Sequence, residues 1–85
     1  MPTDDEQVQA LARGIERYLE QHPNAADSLE GIQRWWLARQ RYAENALKVE
    51  RALERLIAKG IVVRRILPDG KAVYSGRKAE LNQGL

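Results

Sequence analysis

The chain has 85 residues, of which 44% are hydrophobic and 31% charged, and its formal net charge is +2. This length suits one domain with a small core, and the composition is that of a folded protein. Cysteine is absent from the sequence, which excludes disulfides and thiolate chemistry. No apolar run approaches the ~20 residues that span a bilayer, and the acidic start lacks a signal-peptide core, so we expect no membrane partner and a cytoplasmic location.

The charges are unevenly distributed along the chain. Residues 1–32 carry seven acids and two arginines, a net of −5, whereas residues 33–85 carry twelve lysines or arginines and five acids, a net of +7. A basic half of this kind is typical of a protein that faces a polyanion. Mixed charges can also segregate along a sequence without such a partner, so charge alone leaves both interpretations open.

The first helix is predicted to begin at Thr3, which forms a capping pattern with Glu6, and to end at His22, before Pro23. The acids of its first turn suit the positive end of the helix dipole, which explains them without a metal ion. Apolar residues then recur at helical spacing and predict one buried stripe, formed by Val8, Leu11, Ala12, Ile15, Tyr18 and Leu19.

A second helix is predicted after the connector 23–26, with Asp27 as its N-cap residue. Trp35 and Trp36 lie about 100° apart around this helix, so both cannot be equally central in a small core. We expect one tryptophan in the core and the other at its edge or in an interface. The predicted buried face consists of Leu29, Ile32 and Trp36.

The segment 37–42 has no glycine, proline, serine or aspartate to mark a turn. One helix from Ser28 to Lys59 is therefore an alternative to two helices. However, the apolar stripe of the second helix does not continue in phase beyond this segment, and a helix of 32 residues would be long for this size. We predict a break between Ala38 and Glu44, followed by a third helix over about 43–59.

Gly60 is predicted to stop the third helix as its C′ residue. The β-branched run 61–67, the turn 68–70 and the apolar run 72–75 then predict a β-hairpin packed on the helices. The sequence thus predicts an α+β fold, mostly helical, a three-helix bundle with a C-terminal two-stranded β-hairpin. Residues 1–76 would form the single domain and residues 77–85 a flexible tail. The predicted inner face of the third helix consists of Ala46, Val49, Ala52, Leu53, Leu56 and Ile57.

Four segments, in their order along the chain, resemble winged helix-turn-helix DNA-binding domains. SLEGI at 28–32 resembles the start of the scaffold helix, and VERALERL at 49–56 resembles the recognition helix. KGIV at 59–62 resembles the join into the wing, and the segment 68–74 resembles the wing tip with its closing tyrosine. The resemblance covers about residues 5–75. It implies a third helix that enters the major groove of double-stranded DNA and a hairpin that contacts the DNA backbone or the minor groove.

Mapped onto this sequence, the resemblance implies three groups of DNA contacts. Arginine and lysine on a helix surface are often only solvated, and the acids Glu44, Glu50 and Glu54 on the third helix oppose DNA binding. The implied contacts to bases are Asn45, Lys48, Arg51 and Arg55, those to phosphates near the turn are Arg39 and Arg41, and those of the wing are Arg64, Arg65 and Lys71.

Catalytic patterns are lacking in the sequence. His22 is the only histidine, no residues have the spacing of a zinc site, and Ser28 and Ser75 have no other candidate base. We therefore expect a non-enzyme without metal or cofactor. The function expected from the resemblance is a small transcription regulator. The alternative is a protein–protein adaptor, with Trp35/Trp36 or the first helix as the surface for a homodimer or another protein.

Overall fold

The structure, a computed structural model, describes residues 2–79. Its elements confirm an α+β fold in which helix predominates. In chain order they are α1 (Asp4–Gln21), β1 (Ala26–Asp27), α2 (Leu29–Gly31) with a π-helical continuation (Ile32–Trp36), α3 (Ala46–Ala58), β2 (Val62–Ile66) and β3 (Ala72–Gly76).

Helix α1 has the predicted ends and the predicted buried face. The Thr3 hydroxyl accepts a hydrogen bond from the Glu6 amide at 3.2 Å, and His22 is the C-cap residue. All predicted stripe residues except Tyr18 are buried, and Tyr18 packs against the core while partly exposed. The first helix was therefore predictable from its own sequence, because both ends and the apolar stripe are local signals.

The sheet has three antiparallel strands in the order β1-β3-β2, so the prediction of only two strands is wrong. Strand β1 lies in the segment assigned to the connector and the second cap. Ala26 pairs with Ser75, and Asp27 pairs with Tyr74. Two residues are too few for an alternating pattern, so this strand could not be predicted from periodicity. Strand β1 fixes the hairpin to the helical part of the protein.

Helix α2 begins one residue later than predicted, because Ser28 rather than Asp27 is its N-cap. The Ser28 hydroxyl accepts a hydrogen bond from the Gly31 amide at 3.1 Å, while the Asp27 carboxylate accepts one from the Ser28 amide at 2.8 Å. The Asp27 carboxylate therefore lies over the start of α2. A Cβ atom on Gly31 would fall 1.9 Å from Asp27 Oδ1, so a larger residue at position 31 would displace the Asp27 carboxylate from its hydrogen bond with the Ser28 amide.

The predicted break between the second and third helices is confirmed, and the alternative of one helix from Ser28 to Lys59 is wrong. The π-helical turn closes with a hydrogen bond from the Leu37 amide to the Ile32 carbonyl at 2.9 Å. Tyr42 then adopts a left-handed conformation with φ of 70°, which costs a non-glycine residue about 1–2 kcal/mol. Tyr42 thus adopts the left-handed conformation that glycine often provides in the turn between two helices.

The core lies between the three helices and the base of the hairpin. Trp36 is 7% exposed, and its ring stacks on Tyr18 with the centroids 5.0 Å apart, whereas Trp35 is 66% exposed. The predicted division of the two tryptophans is confirmed. The largest fully buried side chains are Leu11, Ile15, Ile32, Leu37, Leu53, Leu56, Val8 and Val49.

The chain remains attached to the fold beyond β3. The Arg77 amide donates a hydrogen bond to the Ile61 carbonyl at 3.0 Å, and Ala79 is buried. The remainder of the tail that was predicted to be flexible, 80–85, lies outside the described residues.

Candidate nucleic-acid interface

Helix α3 has one buried face and one outward face. Val49, Ala52, Leu53 and Leu56 are buried, as predicted, whereas Ala46 is exposed and does not belong to the inner face. The outward face is mixed in character and consists of Leu47, Arg51, Glu54 and Ala58. Among the base contacts implied by the resemblance, Arg51 is the one that lies on this outward face.

Asn45 is the N-cap of α3, which begins at Ala46 rather than near residue 43. The Asn45 side-chain oxygen accepts a hydrogen bond from the Lys48 amide at 3.2 Å. A bidentate contact to adenine uses both the oxygen and the nitrogen of the amide. The oxygen of Asn45 already accepts a hydrogen bond from its own helix, so the implied adenine contact would have to share this oxygen with the cap or replace the cap bond.

Lys48 turns away from the outward face towards the start of α1. Its ammonium nitrogen lies 3.3 Å from Asp4 Oδ1, donates a hydrogen bond to Gln7 Oε1, and sits 5.6 Å from the centroid of the Tyr42 ring. The side chain is only 20% exposed. The prediction of a Lys48 side chain exposed for base contacts is therefore wrong.

Arg55 lies two helical turns after Lys48 and makes a similar contact. Its guanidinium forms an ion pair with the carboxylate of Asp5, and its side chain is 41% exposed. The acids of the first turn of α1 thus neutralise two of the cations expected to face DNA. This pairing could not be predicted from the sequence, because the partners are 44 to 50 residues apart and meet only through the packing of α1 on α3.

The turn between α2 and α3 presents two arginines to solvent. Arg39 and Arg41 are both exposed and have no ion-pair partner among residues 2–79. The turn itself is held by a hydrogen bond from the Gln33 side-chain amide to the Ala43 carbonyl at 2.9 Å. Both arginines therefore project from a fixed turn beside α3, and their implied contacts to phosphates stay a prediction.

The hairpin carries its cations on the half that extends away from the core. Arg64, Arg65 and Lys71 are exposed, whereas Tyr74 and Val62 nearer the base are buried. Arg64 pairs across the strands with Tyr74, and Arg65 pairs with Val73. Because side chains alternate along a strand, Arg64 shares the face of the buried Tyr74 and Arg65 lies on the opposite face. Both faces of the projecting half are therefore basic.

Exposed apolar side chains accompany these cations, and sequence reasoning missed them. Ile66 is 60% exposed and Leu67 is 38% exposed at the tip of the hairpin, and Leu47 is 69% exposed on α3. Their exposure could have been inferred from their position in the sequence, since Ile66 and Leu67 directly precede the turn Pro68-Asp69-Gly70.

A groove of about 380 Å³ lies between the second half of α1 and the base of the hairpin. Its lining is mostly apolar, with Glu16 and Glu20 from α1 and Arg77 and Lys78 after β3. The groove is at the opposite end of α1 from the acids that pair with Lys48 and Arg55. It therefore belongs to a different part of the molecule from the cations of α3.

The described part of the chain, residues 2–79, contains no group of three or more histidine, cysteine or acidic side chains placed to hold a metal ion. Within the same residues, no helix combines the length and the apolar character needed to cross a bilayer. Comparisons of the chain with protein-family models, curated proteins and solved structures found no match.

Proposed function

We propose that this chain is a DNA-binding module of the winged helix-turn-helix type, a small transcription regulator. The observation that carries the proposal is the projecting half of the hairpin, where Arg64, Arg65 and Lys71 are exposed on an element anchored at its base. The order of three helices and a hairpin is the order that the resemblance implies. A rigid basic ribbon of two strands can follow a DNA groove and bind phosphates on either side.

In this proposal α3 enters the major groove, and its contribution to base reading rests on Arg51. Arg51 is exposed and has no ion-pair partner among residues 2–79, so its guanidinium is available to the O6 and N7 atoms of a guanine. Glu54, on the same outward face, repels phosphates and restricts how α3 can lie in the groove. Arg39 and Arg41 would contact phosphates at the entry of α3.

Binding of the whole chain to random duplex DNA, measured by fluorescence anisotropy at several salt concentrations, tests the proposal. Contacts to phosphates release counterions, so the logarithm of the affinity should fall linearly with the logarithm of the salt concentration. Four to six phosphate contacts would give a slope of about −4 to −5. Absence of binding at low salt would exclude the proposed function.

A protein–protein adaptor is the second candidate, and the exposed Trp35 and Leu47 favour it. Tryptophan is enriched among the side chains that contribute most of the binding energy in protein interfaces. A second copy of the chain is one candidate partner, because a single module recognises only a short DNA site and a dimer would recognise a longer one. Analytical ultracentrifugation of the wild type and of Trp35→Ala tests the homodimer. A monomer at all concentrations would exclude self-association and leave only a different protein as the partner.

A further inference from the structure

The tip of the hairpin is a rigid turn with an apolar leading edge. The Leu67 amide donates to the Lys71 carbonyl at 2.8 Å, and the Gly70 amide donates to the Leu67 carbonyl at 2.8 Å. The Lys71 amide donates to the Asp69 carboxylate at 3.0 Å, and Gly70 has φ of 88°. Three hydrogen bonds in five residues fix the tip before any partner binds. Ile66 and Leu67 are thus held in solvent by a turn that cannot easily fold them back.

Cations border this apolar edge. Arg64 lies two residues before Ile66 on the same strand, so the two side chains share a face and are separated by about 7 Å along the strand. Lys71 follows the turn on the other side of the tip, and both cations are exposed. The tip therefore combines two exposed aliphatic side chains and a proline, and a positive charge lies on each side of them.

We propose that the segment Ile66-Leu67-Pro68 is a wedge that enters the minor groove of duplex DNA and opens one base step, while Arg64 and Lys71 hold the adjoining phosphates. The inference rests on the proposed function and extends it to the way in which the DNA is deformed. Proteins that bind the minor groove often insert isoleucine, leucine or proline between base pairs and kink the duplex by about 20–90°. A preformed wedge loses little conformational entropy when it inserts.

The size of the apolar edge favours DNA over a lipid bilayer as the partner. Insertion into a bilayer depends on buried apolar area, and two aliphatic side chains of which one is only 38% exposed offer little. A base step, by contrast, can be opened by a single inserted side chain. Pyrimidine–purine steps such as TA unstack most easily, so the wedge should prefer sites that contain such a step.

The test uses a 20-base-pair duplex with 2-aminopurine at a central TA step, together with dyes at both ends to measure bending by energy transfer. The wild-type protein should raise the 2-aminopurine emission several-fold and shorten the distance between the ends. The double variant Ile66→Ala/Leu67→Ala should lose both changes while still binding the duplex. The matched control is Trp35→Ala, which removes an exposed apolar side chain from the π-helical segment, outside α3 and the hairpin, and should keep both changes. Because all three side chains are exposed, thermal unfolding should be nearly unchanged in both variants.

The outcomes separate the wedge from the proposed function. If the wild type binds DNA with the expected salt dependence but leaves 2-aminopurine emission and bending unchanged, the wedge is excluded and DNA binding stands. If the double variant opens the step as the wild type does, these side chains are not the wedge. If the wild type binds no duplex at low salt but binds vesicles that contain phosphatidylserine, both the wedge and the proposed function are excluded, and the tip is a membrane contact.

Discussion

Helix α3 and the hairpin both carry cations, but they differ in what surrounds those cations. Lys48 and Arg55 of α3 are paired with acids at the start of α1, whereas Arg64 and Lys71 project from the hairpin beyond the core. A helix packed across another helix brings its flanking side chains within reach of that neighbour. A hairpin that is anchored at one end keeps its far end clear of neighbours. Positive charge in a sequence is therefore a poor measure of the charge that a partner meets.

The largest expected effect concerns which side of α3 is buried. Leu53→Ala should lower the free energy of unfolding by about 2–5 kcal/mol, because Leu53 is fully buried and its truncation leaves a cavity. The matched control is Leu47→Ala on the exposed side of the same helix, where a change within about 0.5 kcal/mol is expected. Urea titration followed by circular dichroism measures both. Similar losses for the two variants would mean that the outward face of α3 is covered by a partner.

The next effect concerns the hairpin cations. Arg64→Ala/Lys71→Ala should weaken binding to duplex DNA about 10- to 100-fold at low salt and reduce the salt slope by about 2, because two phosphate contacts are lost. The control, Arg13→Ala/Arg17→Ala, removes the same charge from exposed positions of α1. Anisotropy titrations at several salt concentrations compare the two. Equal losses would show that net charge rather than the hairpin determines affinity.

A smaller effect in the opposite direction is expected when the acids of α1 are neutralised. Asp4→Asn/Asp5→Asn should free Lys48 and Arg55 and tighten DNA binding by up to about tenfold, with the salt slope larger by 1 to 2, roughly one per freed cation. Stability should fall by only about 1–2 kcal/mol, since exposed ion pairs and dipole interactions are weak. The control Glu16→Gln/Glu20→Gln makes the same charge change at the far end of α1. An equal gain in the control would indicate a general charge effect.

The smallest effect is expected from the one outward cation of α3. Arg51→Ala should leave the fold intact and weaken binding to random duplex DNA only a few-fold, with the salt slope nearly unchanged, because its proposed contact is to a guanine base and not to a phosphate. Glu54→Ala, on the same face, should instead tighten binding slightly, because an acid facing phosphates is removed. Loss of folded structure in Arg51→Ala, detected by circular dichroism, would overturn the assignment of this face.

Most helices and strands were predicted from local sequence signals, whereas the contacts of the side chains depend on tertiary packing. The ends of α1 and the separate roles of Trp35 and Trp36 followed from caps and periodicity. Strand β1 was missed because two residues carry no pattern and its partner lies near residue 75. Asn45 was not predicted to be the N-cap of α3. The start of α3 depends on the left-handed conformation of Tyr42, and the sequence has no glycine at this position to indicate it.

The exposure of the hairpin cations was predicted correctly from the sequence, whereas the exposure of the Lys48 cation of α3 was not. Arg64 and Lys71 lie on a hairpin whose turn is marked by Pro68, Asp69 and Gly70, so their exposure followed from the length of the strands. The exposure of Lys48 depended instead on where α1 crosses α3. A helical wheel assigns a face to each residue, but it gives no information about a neighbour 44 residues away in the chain.

The pairing of β1 with β3 also has a consequence for the order of folding during synthesis. Ala26 and Asp27 meet partners that are translated almost fifty residues later, and α1 packs chiefly on α3. Contacts between distant parts of a chain form late, because a long loop must close first. A nascent chain that has reached only residue 71 lacks the strand that joins the other two. The emerging chain can therefore form its helices before its sheet is complete, and β1 can pair only after β3 has been translated.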